Sequence, residues 1–275
     1  MSTSFKTLIL KARHQVYTML SGHNLSKLHG EGYDFAELRE YQMGDDIRKI
    51  NWTITAKMGK PYVKELHANR ELSVVVVSLA DGGVYFDAHH RKQRLHTEVG
   101  ALIGFAALHS NDLFTGVLYT QEQIHTTPPT KQPFDVERFA ETIDRTNLLH
   151  TRIDPDACME DLFTRVHKPS LLFVLYDFLE PVDLSLLAQR HEVIAVILRD
   201  RGEAHLPKAG EVTLHNPTTQ EKHDGYLGTR TQQRYLEKLQ AHEEKIHSHF
   251  NRYDIRYLTI YTDEEPVEKL MRLFA

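Results

Sequence analysis

The spacing of apolar residues changes character three times along the chain. From Phe5 to Leu20 the residues Leu8, Ile9, Ala12, Val16, Met19 and Leu20 recur at helical spacing, which predicts an opening amphipathic helix. Between Ser21 and His67 that rhythm gives way to scattered glycines, Gly22, Gly30, Gly32, Gly44 and Gly59. Short segments between them, KINWTITA and KPYVKEL, read as strands of a small irregular module. Alternation in KINWTITA puts Ile50, Trp52 and Ile54 on one face, which predicts Trp52 as a core or intermodule anchor.

Beyond residue 70 strands and helices alternate. LSVVVVSL (72–79) is a β-branched run with little polar alternation, as expected of a strand buried on both faces of a parallel sheet. RKQRLHTEVGALIGFAALHS (91–110) has a helical pattern and LFTGVLYT (113–120) is a second strand, with QEQIHTT as a returning hairpin partner. FDVERFAETI, DPDACMEDLFTRV and VDLSLLAQR read as helices, as does 231–250; LLFVLYDF (171–178), EVIAVIL (192–198) and DIRYLTIY (254–261) read as strands. Right-handed crossovers between such elements give a doubly wound, mostly parallel α/β sheet. The division expected is 1–70 for the opening helix and irregular module and 71–275 for the α/β domain. Ligands of such sheets sit at the carboxyl ends of central strands. Asp81 and Asp177 fall there, either as ligand-binding carboxylates or as caps of the turns that follow.

Composition narrows the function classes. With 33 Lys and Arg against 38 Asp and Glu, the net charge is −5, and nothing suggests a general nucleic-acid binder. Residues 1–70 nevertheless hold 11 basic and 7 acidic side chains, net +4, which leaves a net −9 for the remainder. One cysteine, Cys158, excludes an internal disulfide, and in a helical pattern without a nearby histidine it reads as packing. The 18 histidines are dispersed, without the spacing of a zinc site. No leader-like start and no apolar run of membrane-spanning length is seen, so a cytoplasmic location without membrane contact is expected.

The densest chemistry lies in GDDIRKINWTITAKMGKPYVKE (44–65), with two adjacent carboxylates, the single tryptophan and five basic side chains. Asp45 and Asp46, adjacent on an extended segment, point to opposite faces unless a turn at Gly44 brings them together. As turn residues they accept backbone N–H groups, and Arg39, Arg48 and Lys57 are natural ion-pair partners. The chain has no G-x-x-x-x-G-K-[ST] nucleotide loop and no G-x-S-x-G nucleophile elbow.

That segment, with HGEGYDFAELREYQM before it, resembles the signature of the domain of unknown function 58 family. Gly30, Gly32, Phe35, Leu38, Arg39, Tyr41, Gly44, Asp45, Asp46, Arg48, Ile50 and Trp52 stand at the signature positions. Asn51 and Lys57 replace the usual Asp and Arg. The resemblance implies a von Willebrand factor A-like α/β domain, a MoxR-type AAA+ ATPase as partner and a role as adaptor for a client protein. It also implies a metal-ion-dependent adhesion site, in which carboxylate and hydroxyl oxygens hold Mg²⁺. Here that site is degenerate: Leu79, Asp81 and Gly83 stand where its first loop carries Asp, Ser and Ser. Asp81, Thr151 and Asp177 remain as its candidate ligands, and no cofactor other than such a shifted Mg²⁺ is expected.

The expected function is therefore a non-enzymatic interaction protein, with Arg39, Tyr41, Asp45, Asp46, Arg48, Trp52 and Lys57 as its docking residues. Two rivals remain. One is a divalent-metal-dependent hydrolase using Asp45, Asp46, Asp81 or Asp177; the other is a nucleic-acid adaptor using the basic start of the chain.

Overall fold

The computed structural model describes residues 3–23, 33–43, 45–68, 71–86, 91–204 and 206–274. Contacts divide the chain into Leu20–Glu71 and a larger unit of Met1–Met19 with Leu72–Ala275. Helix α1 (Thr3–His23) buries Phe5, Leu8, Ile9, Ala12 and Val16. Lys11 on its polar side pairs with Glu98 at 3.4 Å and Glu265 at 2.9 Å. The expected division at residue 70 grouped this helix with the irregular module, whereas its first part packs with the sheet-bearing unit.

In the smaller unit β1 (Tyr33–Glu40) pairs antiparallel with β2 (Tyr62–Ala68), the register shifting between Phe35 and Glu37. KPYVKEL thus supplies a strand. KINWTITA does not: after a single 3₁₀ turn at Ile47–Lys49 it forms helix α2 (Trp52–Met58). Local capping overrides the alternation. The Asn51 side chain accepts the Ile54 N–H at 3.3 Å to start the helix, and Gly59 at φ 72° ends it, its N–H donating to Thr55 O. Ile50 keeps only an isolated bridge to Val63.

The larger unit runs β3 (Ser73–Leu79), α3 (Arg91–His109), β4 (Leu113–Tyr119), β5 (Ile124–Thr126), α4 (Pro133–Arg145), α5 (Pro155–Arg165) and β6 (Leu171–Tyr176). It continues through α6 (Ser185–Ala188), β7 (Glu192–Arg199), α7 (Arg201–Ala204), β8 (Gly210–His215), β9 (Lys222–Leu227), α8 (Thr229–Arg252), β10 (Arg256–Tyr261) and α9 (Pro266–Phe274). The sheet order is β10-β7-β6-β3-β4-β5. Every pairing is parallel except that of β5, which lies antiparallel on the β4 edge. This is the expected doubly wound α/β architecture. The hairpin β8–β9 was not legible, because its strands are exposed almost throughout and their only apolar alternation is Val212 and Leu214.

The chain builds outward from β3 to β4 and then returns to β6 on the other side, so strand order reverses between β3 and β6. Helices cover both faces. Val75, Val77, Leu172, Val174, Ala195 and Ile197 pack with Met159, Leu162, Leu187, Ile246 and Phe250 from α5, α6 and α8. On the other face α3 and α4 close so tightly that the Phe139 ring lies over Gly116 of β4. A Cβ there would stand 2.5 Å from a ring carbon. Phe139 also meets Phe114 edge-on at 5.6 Å.

This contact gives a coupled mutational outcome. Gly116→Ala forces the ring aside and is expected to cost about 1–3 kcal/mol, and Phe139→Ala about 3–5 kcal/mol. Urea unfolding of the double variant should show much less than the sum, since the intruding methyl enters the space that the ring vacates. Strict additivity would mean that the two positions do not share the contact.

Candidate functional site

At the reversal point the carboxyl ends of β3, β6 and β7 converge with the start of α3. Asp81 lies two residues past β3, Asp177 directly follows β6, and Asp200 and Glu203 follow β7. Lys92, the second residue of α3, extends among them and is only 2% exposed. Its Nζ donates to Asp177 Oδ2 at 2.9 Å and to Glu203 Oε1 at 2.6 Å.

Each carboxylate is aimed by backbone. The Asp177 Oδ1 accepts the Leu179 N–H at 3.0 Å. Phe178 between them adopts φ 50°, a left-handed conformation that is costly for a bulky residue. Arg199 holds that loop, Nε donating to Asp177 O at 2.9 Å and Nη2 to Phe178 O at 3.3 Å, while Nη1 reaches Glu243 of α8 at 2.8 Å. Glu203 Oε2 accepts the Asp200 N–H at 2.9 Å. Asp81 Oδ1 accepts the Gly83 N–H at 2.8 Å. A Cβ on Gly83 would lie 3.0 Å from Asp81 Oδ1 and 3.4 Å from Asp177 Oδ2, so both carboxylates face this one backbone position.

The electrostatics follow from burial and one shared cation. Burial acts to raise the Asp177 pKa, but Lys92, the Leu179 N–H and Arg199 outweigh it and hold the carboxyl below its ordinary 3.8. Burial acts to lower Lys92, and Asp177 and Glu203 reverse that, keeping the ammonium charged. Glu203 is raised by burial, only partly offset by Lys92. Asp81 is likewise raised by burial, against the Gly83 N–H, with Asp177 adding repulsion. One turn on from Lys92, burial and the Lys92 charge push His96 down to about 3. It is therefore neutral at physiological pH, its Nδ1 3.0 Å from Ser78 Oγ.

The sequence placed Asp81 and Asp177 here, and the fold brings them together. Thr151 is adjacent through backbone, its carbonyl accepting the Gly82 N–H at 3.0 Å, but its hydroxyl donates to Leu148 O at 2.6 Å. Lys92, Glu203 and Arg199 were missed. Lys92 had a signal: with Leu95, His96, Val99 and Ile103 it shares the buried side of α3, a register in which an unpaired lysine is not tolerated.

The expected Mg²⁺ arrangement does not fit these residues. Nζ stands between Asp177 and Glu203, and among the described residues no three His, Cys, Asp or Glu side chains are grouped as ligands. Cys158, on a cavity of about 620 Å³ shared with Tyr119, Arg152, Asp161 and Arg165, has its thiol pushed up to about 12 by burial and by the nearby Asp154 and Asp161. Such a thiol is a poor nucleophile.

The docking candidates lie in the smaller unit. Asp45 accepts the Gln42 N–H at 2.8 Å, and Asp46 Oδ1 accepts Arg48 N at 3.0 Å and Arg48 Nε at 3.2 Å. The two carboxylates thus serve different donors. The Tyr41 N–H donates to Pro61 O at 2.8 Å, and Arg39 pairs with Val63 in the strand register. Gly30, Gly32 and Gly44 lie outside the described residues. Helix α2 buries no residue. Trp52 is 66% exposed, which corrects its expected role as a core anchor; Ile47 is 64% and Met58 60% exposed.

Asp177 carries a pH dependence. A carboxyl whose pKa is depressed on folding stabilises the fold above its unfolded pKa, and that contribution is lost as pH falls through the lower folded value. Asp177→Asn should cost about 3–5 kcal/mol near neutrality by leaving Lys92 underpaired. In urea unfolding the gap between wild type and variant should narrow below pH 3.8. A gap that stays constant into the acid range would contradict the assignment.

No helix among the described residues is long and apolar enough to cross a membrane. Uncharacterized proteins of Mycobacterium tuberculosis and Mycobacterium bovis are each 23% identical over 286 residues, covering 100% of this chain and 89% of theirs. The crystal structure of the conserved hypothetical protein BatB from Bacteroides thetaiotaomicron superposes with a TM-score of 0.43 at 10% identity, covering 74% of this chain and 97% of that one. The model of a protein of unknown function, DUF58, matches residues 37–245. With most of its residues matched by that model, this chain belongs to the DUF58 family.

Proposed function

We propose that the protein is a non-enzymatic interaction module that docks other proteins through its smaller unit. The observation that carries this reading is the solvent exposure of Trp52, Ile47 and Met58 on and just before a helix with no buried residue. Arg48, with its side chain 91% exposed, lies in the same segment, and Lys57 stands exposed in the last turn of α2. Tryptophan and arginine are the residue types that dominate binding energy at protein interfaces. Leaving such a side chain in water forgoes the roughly 25 cal/mol per Å² that covering its apolar area would recover.

The partner to test is a MoxR-type AAA+ ATPase, with a client protein as the third component. That choice, like the von Willebrand factor A likeness, rests on the signature resemblance drawn from the sequence. The nucleic-acid alternative loses its main support. Residues 20–70 hold eight basic and seven acidic side chains, so three of the four excess positive charges in 1–70 come from Lys6, Lys11 and Arg13 of α1. Lys11 is paired with Glu98 and Glu265, and Arg13 lies 3.9 Å from Glu137.

Surface-immobilised protein, exposed to a purified MoxR-type ATPase from the same organism with ATP, with ADP and without nucleotide, should bind in at least one state. Trp52→Ala should weaken that binding about thirtyfold or more, the loss expected of a hot-spot aromatic, and Arg48→Ala should weaken it less. Because both side chains are exposed, the variants should melt as wild type does. Failure of the wild type to associate in any nucleotide state would remove the ATPase from the reading.

A further inference from the structure

We infer that Lys92 is the resident cation of the strand-end crevice: its ammonium occupies the position that a divalent metal ion would take between Asp177 and Glu203, with Asp81 alongside, and makes the site metal-independent. This goes beyond the docking reading and does not depend on it.

The placement of the crevice is the first support. It lies at the carboxyl ends of β3 and β6, where strand order reverses and where sheets of this kind hold ligands. The donor set is the second. Asp177 and Glu203, from the loops after β6 and β7, set carboxylate oxygens on either side of one point, and Asp81 faces Asp177 across Gly83; carboxylate oxygens are the ligands that hard divalent cations take. Here that point holds an ammonium nitrogen, 2.9 Å from Asp177 and 2.6 Å from Glu203, which makes a charge-assisted hydrogen bond to each.

The route of the side chain is the third. Lys92 enters from the protein side, as part of α3, and its side chain is 2% exposed, so the cation is tethered and does not exchange with solvent. Nearby, the turn between β8 and β9 lies against the loop after β3. A Cβ on Gly82 would stand 2.3 Å from Pro217 O, and the same carbonyl accepts the His150 N–H at 2.8 Å. An adhesion site needs an open coordination position for the partner's oxygen. A tethered ammonium that already donates to Asp177 and Glu203, beside a turn that packs against the adjoining loop, serves instead as a fixed counter-charge.

The test compares wild type with Lys92→Ala, both chelator-treated, by calorimetric titration with Mg²⁺, Mn²⁺ and Ca²⁺ and by melting in each ion. Wild type should give no saturable heat and no shift in Tm. Lys92→Ala leaves the carboxylates around a vacated position and should bind Mn²⁺ or Ca²⁺ at one site, about tenfold or more tighter than wild type, with Tm rising as the ion is added. Adding Asp177→Ala should abolish that gain.

If Lys92→Ala folds only when the ion is present, the inference is likewise supported. If it fails to fold under either condition, Lys92→Ala/Glu203→Gln, which removes opposite charges together while keeping a side-chain oxygen at position 203, carries the same titration. One-site metal binding by wild type that Asp177→Ala removes would overturn the inference. So would a folded Lys92→Ala, or a folded double variant where that is the one titrated, that stays silent towards all three ions.

Discussion

The ends of two strands depend on where one buried ammonium can find oxygen. A lysine moved from water to a site 2% exposed loses several kcal/mol of hydration. That loss is offset only if its N–H bonds meet charged acceptors at short range. Asp177 and Glu203 provide them from loops that follow different strands, so neither loop can shift without stranding the cation. The same need extends outward: Asp177 is aimed by the left-handed turn at Phe178, that turn is held by Arg199, and Arg199 is neutralised by Glu243 on α8. A single desolvation problem thereby couples α3, the β6 and β7 loops and α8.

Charge count explains why the cluster is uneven. Three carboxylates, Asp81, Asp177 and Glu203, lie near one lysine, and Arg199 spends its donors largely on carbonyls and Glu243. The cation cannot lower all three acids. Asp177, which has the Leu179 N–H and Arg199 as well as Lys92, is held low, while burial pushes Asp81 and Glu203 upward although Glu203 lies nearer the ammonium. Groups whose pKa values are driven apart in this way can signal acid–base chemistry. Here Lys92, Asp177 and Glu203 are spent on one another, and the imidazole one turn on from Lys92, His96, is fully buried, neutral and 3.0 Å from Ser78 Oγ.

The fold was legible wherever burial is two-sided. VVVV in β3 and the apolar runs of β6 and β7 leave no alternative to a central parallel sheet, and their order along the chain placed Asp81 and Asp177 at one crevice. The hairpin β8–β9 was not legible: its strands are exposed almost throughout and only Val212 and Leu214 alternate in it. Trp52 failed for a related reason. Alternation across Ile50, Trp52 and Ile54 is only three residues deep, too short to outvote an Asn cap and a left-handed Gly59 that close one helical segment between them. The cation was hidden differently. A lysine near the start of a charged helix looks like ordinary solvated surface, and only its register with Leu95, His96 and Val99 sets it apart.

The two units therefore invest their polar chemistry in opposite ways. In the larger one, charges are buried and spent on one another, which fixes geometry but leaves few donors or acceptors for a visitor. In the smaller one, the acids close their own turns and the large side chains of the α2 segment, Ile47, Trp52 and Met58, stay in water. Turn closure by Asp45, Asp46 and Asn51 sets the backbone of this segment without drawing on its apolar side chains. A surface whose shape is held by local hydrogen bonds can present a tryptophan at small entropic cost on docking, since the backbone is already ordered before a partner arrives. In that arrangement the acidic pair that looks like a catalytic dyad in the sequence serves the tryptophan seven and six residues further on, by fixing the turn that leads into its helix.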